Sequence, residues 1–135
     1  MSGSAHATTA TFLAFDFGTR RVGVAGGNTV TGTAQPLATV DAEGHERFTA
    51  IGKLIDEWQP AALVVGVPYH PDGAAHENTQ RALRFARQLR GRFGLEVHEV
   101  DERYTTTEAR SLCATDVDAA AAAIILEQFL GSLVQ

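Results

Sequence analysis

The segment from Thr11 to Gly27 places a single carboxylate at the end of an apolar strand. Its sequence, TFLAFDFGTRRVGVAGG, begins with an apolar run that ends at Asp16, passes through the turn FGTRR and enters a second β-rich run. Apolar residues on both sides of Asp16 predict a buried strand with this charge at its tip. A lone carboxylate is costly to bury unless it is paired or binds a cation. The rest of the chain should therefore supply partners for Asp16.

The order of the predicted elements indicates the fold class. We predict strands at 11–17, 22–26, 31–40, 61–67 and 95–100, and helices at 46–58, 77–93, 105–113 and from 116 to near Leu130. The first three strands follow one another closely, so they should form an antiparallel meander, and Pro36 favours an edge or a bulge. The continuous apolar run at 61–67 is typical of a central parallel strand. We expect an α/β fold with a mixed five-stranded sheet, three antiparallel strands then two parallel, flanked by helices on both faces.

Composition narrows the classes of function. The chain of 135 residues is long enough for one domain, which we expect at 11–135 after a flexible tail at 1–10. The longest apolar run, Ala119–Leu126, is too short to span a membrane. The single Cys113 excludes an internal disulfide and fits a reducing cytoplasm. The net charge of −5 argues mildly against a nucleic-acid partner, although five of the eleven basic residues lie within Arg81–Arg92.

Three acidic positions that are far apart in the sequence are predicted to meet at one edge of the sheet. Asp16 ends the first strand, Glu102 follows the fifth strand, and Asp118 opens the last helix. Ligands of such sheets gather where the carboxyl ends of the strands meet. Carboxylates without a set of His and Cys ligands favour Mg²⁺ or Mn²⁺. Two such ions, roughly 3.5–4 Å apart, would hold the attacking and leaving oxygens of a phosphoryl displacement.

Each acid also has a purely structural interpretation. An aspartate before a glycine turn, as at Asp16, is common in loops. Glu102 could pair with Arg103 or Arg110, and Asp118 could simply favour the positive end of the last helix. Asp116 competes with Asp118 for the third position, and the pattern does not separate them.

Four motifs together carry a resemblance to a known family. They are FDFGTRRVGVA, VVGVP, DERYTTTEAR and VDAAAAAIILEQFL. They resemble the YqgF family, also called RuvX or the pre-16S rRNA nuclease family, over residues 11–132 and in the family's order. The resemblance implies an RNase H-like fold related to Holliday junction resolvases. It also implies a hydrolase that cleaves phosphodiester bonds with Mg²⁺ or Mn²⁺, with two ions expected.

The resemblance assigns roles residue by residue. Asp16, Glu102 and Asp118 match the acids that hold the metal and carry catalysis. Arg103 and Thr106 sit beside the second acid and are candidates for contacts with substrate phosphate. The chain departs from the family pattern at Ser111–Val117, where the family has a longer, partly basic loop that often meets substrate.

The resemblance also implies partners. The implied role is processing of the 5′ end of the 16S ribosomal RNA precursor on the ribosomal precursor particle, in the cytoplasm, with resolvase-like activity on branched DNA suggested by the fold relatives. No membrane partner is expected. The protein could be a monomer or a homodimer.

Two basic segments are further candidates for substrate binding. Arg81, Arg84, Arg87 and Arg90 recur every three residues and form a broad band on the second helix. This band is either a solvated face or an RNA contact, and Arg84 and Arg87 are its candidates for binding. Arg20 and Arg21 closely follow Asp16, and one of them could bind a phosphate with two parallel hydrogen bonds; the alternative is a surface turn.

Two rival functions stay open at this level. The run DFGT also resembles the phosphate loop of sugar kinases and actin-like ATPases, but those proteins close two domains around ATP and this chain has room for one. A non-catalytic factor that binds RNA or protein with the same fold is the stronger alternative. Cleavage that is lost in Asp16→Asn would favour the nuclease over both.

Overall fold

The computed structural model describes residues 10–70, 72–74, 76–102 and 117–133. In these ranges the elements, in chain order, are β1 Thr11–Asp16, β2 Val22–Asn28, β3 Ala34–Val40, α1 Gly44–Trp58, β4 Ala62–Val67, α2 Thr79–Phe93, β5 Glu96–Asp101 and α3 Val117–Ser132. The predicted tail up to residue 9 and the predicted helix at 105–113 lie outside the described residues. So do Arg103, Thr106 and Asp116.

The strands form one mixed sheet in the order β3-β2-β1-β4-β5. β1 pairs antiparallel with β2, and β2 pairs antiparallel with β3. β1 pairs parallel with β4, and β4 pairs parallel with β5. The predicted sheet of three antiparallel strands followed by two parallel ones is confirmed.

The edge strand β3 shows why Pro36 is tolerated. Val24 pairs with Ala38 but Ala25 pairs with Pro36, so Leu37 forms a bulge in β3. A proline lacks the N–H that a central strand needs, and an edge position with a bulge avoids that loss. β3 begins at residue 34 rather than at the predicted 31, because the residues before it form a turn around Asn28. The Asn28 side-chain oxygen accepts hydrogen bonds from the backbone N–H groups of Val30 and Thr31, at 2.9 and 3.0 Å.

The sheet separates two apolar layers. Along β1, Leu13 and Phe15 pack on the side of α1 and α2, whereas Phe12 and Ala14 pack on the side of α3. Successive side chains of a strand point to opposite faces. Asp16 therefore continues the second set and points to the α3 face, at the carboxyl end of β1.

Small residues let α3 lie close to the sheet. The side of β2 that faces α3 carries Gly23, Ala25 and Gly27, and α3 contributes alanines that are buried against it. The run of alanines in α3 is therefore a packing surface that matches the small residues of β2. Its close approach brings the first turn of α3 to the strand end beside Asp16.

Candidate active site

Asp16 lies between two glycines of the neighbouring strands. It pairs with Gly23 of β2 and with Gly66 of β4. A Cβ on Gly66 would lie 2.9 Å from Glu102 Cγ, and a Cβ on Gly23 would overlap the main-chain carbonyl of Asp118. The missing side chains therefore make the space in which Glu102 and the first turn of α3 approach the strands on either side of Asp16.

Glu102 and Asp16 form a hydrogen-bonded carboxyl pair. The pKa of Glu102 is raised to about 8, most of all by burial and then, in decreasing order, by the charge of Asp16, the hydrogen bond with the Asp16 side chain and the charge of Asp101. Like charges this close disfavour double ionisation. The pair therefore holds one proton at neutral pH, and a divalent cation would relieve the same repulsion by taking the place of that proton.

The raised pKa of Glu102 predicts a stability that falls as the pH rises. Between the ordinary value of 4.5 and about 8, the folded chain binds one proton more than the unfolded chain. The free energy of unfolding should then decrease by up to about 1.4 kcal/mol per pH unit over this window. Urea unfolding in EDTA at pH 5, 6, 7 and 8 measures this slope. Glu102→Gln should flatten it, and an equal slope in that variant would refute the assignment.

Asp118 stands at the rim of a cleft next to the carboxyl pair. Its Oδ2 lies 3.2 Å from Nε of Arg21, in a pair whose side chains are 33% and 60% exposed. Such an exposed pair contributes little to stability and can separate easily. The cleft has a volume of about 340 Å³ and is lined by Gly18, Thr19, Arg20, Arg21, Asp41 and Asp118.

The three predicted acids thus lie at one edge of the sheet, where two of them contact each other and the third pairs with an arginine. Asp16 and Glu102 are in contact, and the main chain of Asp118 reaches Gly23, the register partner of Asp16. The Asp118 carboxylate pairs with Arg21. In the part of the chain that the structure describes, no group of three His, Cys, Asp or Glu residues is arranged to hold a metal ion.

The basic candidates fall on different sides of the molecule. Arg20 and Arg21 line the cleft beside Asp118. Arg84 and Arg87 are exposed on α2, whose buried side packs on the sheet face opposite to the one that carries Asp16. One phosphate cannot contact both groups, although a longer nucleic acid could. Arg90 belongs to the fold, because it donates to the Val97 carbonyl at 2.8 Å and pairs with Glu99 at 3.2 Å.

Sequence reasoning missed three residues around the site. Gly23 and Gly66 are glycines within β-rich runs. In β2, small residues alternate along the strand, and together with the alanine-rich helix this pattern could have indicated close packing between the two elements. Arg47 is 6% exposed and follows the buried helical spacing of Ile51. Burial lowers the pKa of Arg47, and Glu43 partly offsets that effect.

Known proteins resemble this chain in sequence and in fold. A protein of Polaromonas is 67% identical over 123 residues, which are 91% of this chain and 89% of that protein. A protein of Burkholderia thailandensis is 57% identical, covering 92% and 90% of the two chains. Both bear the name "Putative pre-16S rRNA nuclease".

The fold has a counterpart among solved structures. The structure of Thermus thermophilus RuvC in complex with Holliday junction substrate aligns with a TM-score of 0.57 at 14% identity, covering 93% of this chain and 96% of that one. This likeness confirms the predicted RNase H-like fold. In the described ranges, no helix combines the length and the apolar character that crossing a bilayer requires.

A sequence profile of one family covers nearly all of the described chain. The RuvX profile, described as Holliday junction resolvase, matches residues 10–132. That range contains the carboxyl pair, the cleft and both glycines beside Asp16. By this match and by the identity with its relatives, the chain belongs to the RuvX family, as the four motifs predict.

Proposed function

We propose that this protein is a Mg²⁺- or Mn²⁺-dependent nuclease that hydrolyses phosphodiester bonds at the 5′ end of 16S ribosomal RNA precursor. The observation that carries the proposal is the Asp16–Glu102 pair, in which two carboxyls face each other at the carboxyl edge of the sheet. The substrate in this proposal is taken from the names of the relatives. The acid pair supplies the chemistry.

Oxygen-rich, like-charged groups are the donor set that Mg²⁺ and Mn²⁺ prefer. Asp16 and Glu102 would hold the ion, and Asp118 would join them once its carboxylate leaves Arg21. When bound, the ion activates water and neutralises the charge that develops on the phosphate. Two ions, expected from the family, would need all three acids.

The chain's own residues orient the substrate and manage the proton. Arg20 and Arg21 lie on the cleft wall where a phosphate beside the scissile bond can be held by charge-assisted hydrogen bonds. Arg21 released from Asp118 is free to donate to such a phosphate. Glu102 would release its proton when the ion binds, because the ion takes the place of that proton between the two carboxyls.

The test is cleavage of 16S precursor RNA that carries its 5′ leader. We expect a defined shortened product with Mg²⁺ or Mn²⁺ and no product with EDTA. Mature 16S RNA, which lacks the 5′ leader, serves as the control that should stay uncut. Equal cleavage in EDTA, or binding without cleavage at any metal concentration, would contradict the proposal and favour the non-catalytic factor.

A second substrate follows from the description of the family. Its profile is named for Holliday junction resolvase, so a four-way DNA junction belongs in the same assay. Cleavage of the junction alone would move the proposal from RNA processing to DNA resolution, with the same acids in the same roles.

A further inference from the structure

Arg47 is a buried cation in an unusual place. The residue is only 6% exposed; among the described residues no carboxylate lies within ion-pair distance of it, and the charge of Glu43 offsets its burial only in part. It lies in the first turn of α1, where the positive end of the helix disfavours a cation. Burying a charge there is costly unless its N–H groups are hydrogen bonded. The hydrogen-bond partners of Arg47 should therefore indicate why a cation is buried at this position.

Those contacts join two loops. Nε donates to the Ala42 carbonyl at 2.8 Å, and Nη2 donates to the Thr19 carbonyl at 3.1 Å. The guanidinium also lies 5.5 Å from the centre of the Phe17 ring. Arg47 therefore ties the β1–β2 turn, residues 17–21, to the segment that precedes α1.

The turn that Arg47 holds forms one wall of the cleft. Its Gly18 has no room for a side chain, because a Cβ there would overlap the Arg21 carbonyl. Arg20 and Arg21 project from the same turn and line the cleft together with Asp118. A tight turn fixed at Thr19 and Phe17 presents these two arginines from a constant position.

We propose that Arg47 is a positioning residue, which fixes the β1–β2 turn so that Arg20 and Arg21 meet the phosphates of RNA in the cleft. This inference rests on the proposed nuclease function. Arg47 does not contact substrate; it acts through the Thr19 carbonyl and the Phe17 ring. Its role is therefore distinct from that of the acid pair, which β1 and Gly66 hold in place.

The first experiment compares steady-state cleavage by Arg47→Met and by Arg92→Met. Methionine keeps the apolar stem of Arg47 but cannot donate to either carbonyl. The control removes the same charge and a similar contact, since the Arg92 guanidinium lies 4.2 Å from the Phe48 ring centre and does not hydrogen bond to the carbonyls that Arg47 holds. We expect KM to rise about 5- to 10-fold in Arg47→Met with kcat changed less than about 2-fold. Arg92→Met should behave as wild type.

The second experiment asks whether Arg47 acts through the two arginines. In a background that carries Arg20→Ala and Arg21→Ala, Arg47→Met should raise KM by less than about 2-fold, because the groups it positions are gone. The salt dependence of RNA binding should also weaken, both in Arg47→Met and in the double alanine variant. A purely structural role would leave the effects on KM additive.

A third readout needs no RNA. Backbone ¹⁵N order parameters of residues 18–21 should fall from about 0.85 to below about 0.6 when Arg47 is replaced. Arg47→Lys keeps the charge but cannot reach both carbonyls, so it should show the same loss and replaces Arg47→Met if that variant does not fold.

The results separate this inference from the proposed function. A wild-type KM in Arg47→Met, an additive effect in the double alanine background, or a turn that stays rigid would each overturn the role of Arg47, while cleavage by wild type would stand. If wild type cleaves neither RNA nor DNA, the proposed function fails, and the order parameters still decide whether Arg47 holds the turn.

Discussion

Asp16→Asn is expected to abolish cleavage of 16S precursor RNA while it leaves the fold intact or makes it more stable. Asparagine keeps the shape of the side chain and can still hydrogen bond with Glu102. It removes one of the two charges that would hold the metal, which should lower kcat by a factor of at least about 10². The repulsion that raises the pKa of Glu102 is also relieved, so Glu102 ionises at lower pH.

Two measurements on the same protein test this prediction. The rate of product formation should fall to the EDTA background. Mg²⁺ is expected to raise the melting temperature of wild type and should leave that of Asp16→Asn unchanged. Asp72→Asn is a matched control, because Asp72 lies in the loop after β4 and accepts from the Ala74 N–H at 2.9 Å. Asp16→Asn that cleaves at more than a tenth of the wild-type rate would remove Asp16 from the catalytic set.

Gly23→Ala is expected to cost stability and activity together. A Cβ at this position would overlap the Asp118 carbonyl and lie 2.8 Å from the Ala119 nitrogen. These are main-chain atoms at the start of a helix and cannot rotate away, so the first turn of α3 must shift. We expect a loss of about 2–3 kcal/mol in the free energy of unfolding and a melting temperature lower by on the order of 10 °C.

Gly91→Ala supplies the control for this change. Gly91 lies on the exposed side of α2, and a Cβ there meets no atom within 4 Å. Alanine at a helical position should stabilise the chain by about 0.5–1 kcal/mol. Thermal unfolding followed by circular dichroism should therefore move in opposite directions for the two variants. A Gly23→Ala protein as stable as wild type would show that α3 does not need this close approach.

The sequence allowed the sheet to be predicted because each strand carries its own signal. The apolar run at 61–67 indicates a strand that is buried on both faces, and Pro36 indicates an edge or a bulge. Asp16 and Glu102 could be brought together by topology alone, since both follow strands that end at the same edge. The family motifs added the nuclease chemistry, which periodicity does not contain.

The partners of the site residues could not be predicted in the same way. Nothing in the sequence says that Arg21 pairs with Asp118, because that contact depends on how closely α3 approaches β2. The role of Arg47 was hidden for the same reason: its partners are the carbonyls of Ala42 and Thr19, and main-chain acceptors leave no mark in a sequence. The band of arginines on α2 could be recognised in the sequence. That it lies on the sheet face opposite to the one that carries Asp16 could be known only from the fold.

The docking of α3 onto small residues of β2 has a consequence for the timing of activity. All five strands precede α3 along the chain, so they can be synthesised and paired before that helix emerges. Until the helix settles against Gly23, the third acid is absent from the sheet edge. If the three acids act together as proposed, a copy in which α3 has not yet docked should bind the metal less well and should not cleave RNA.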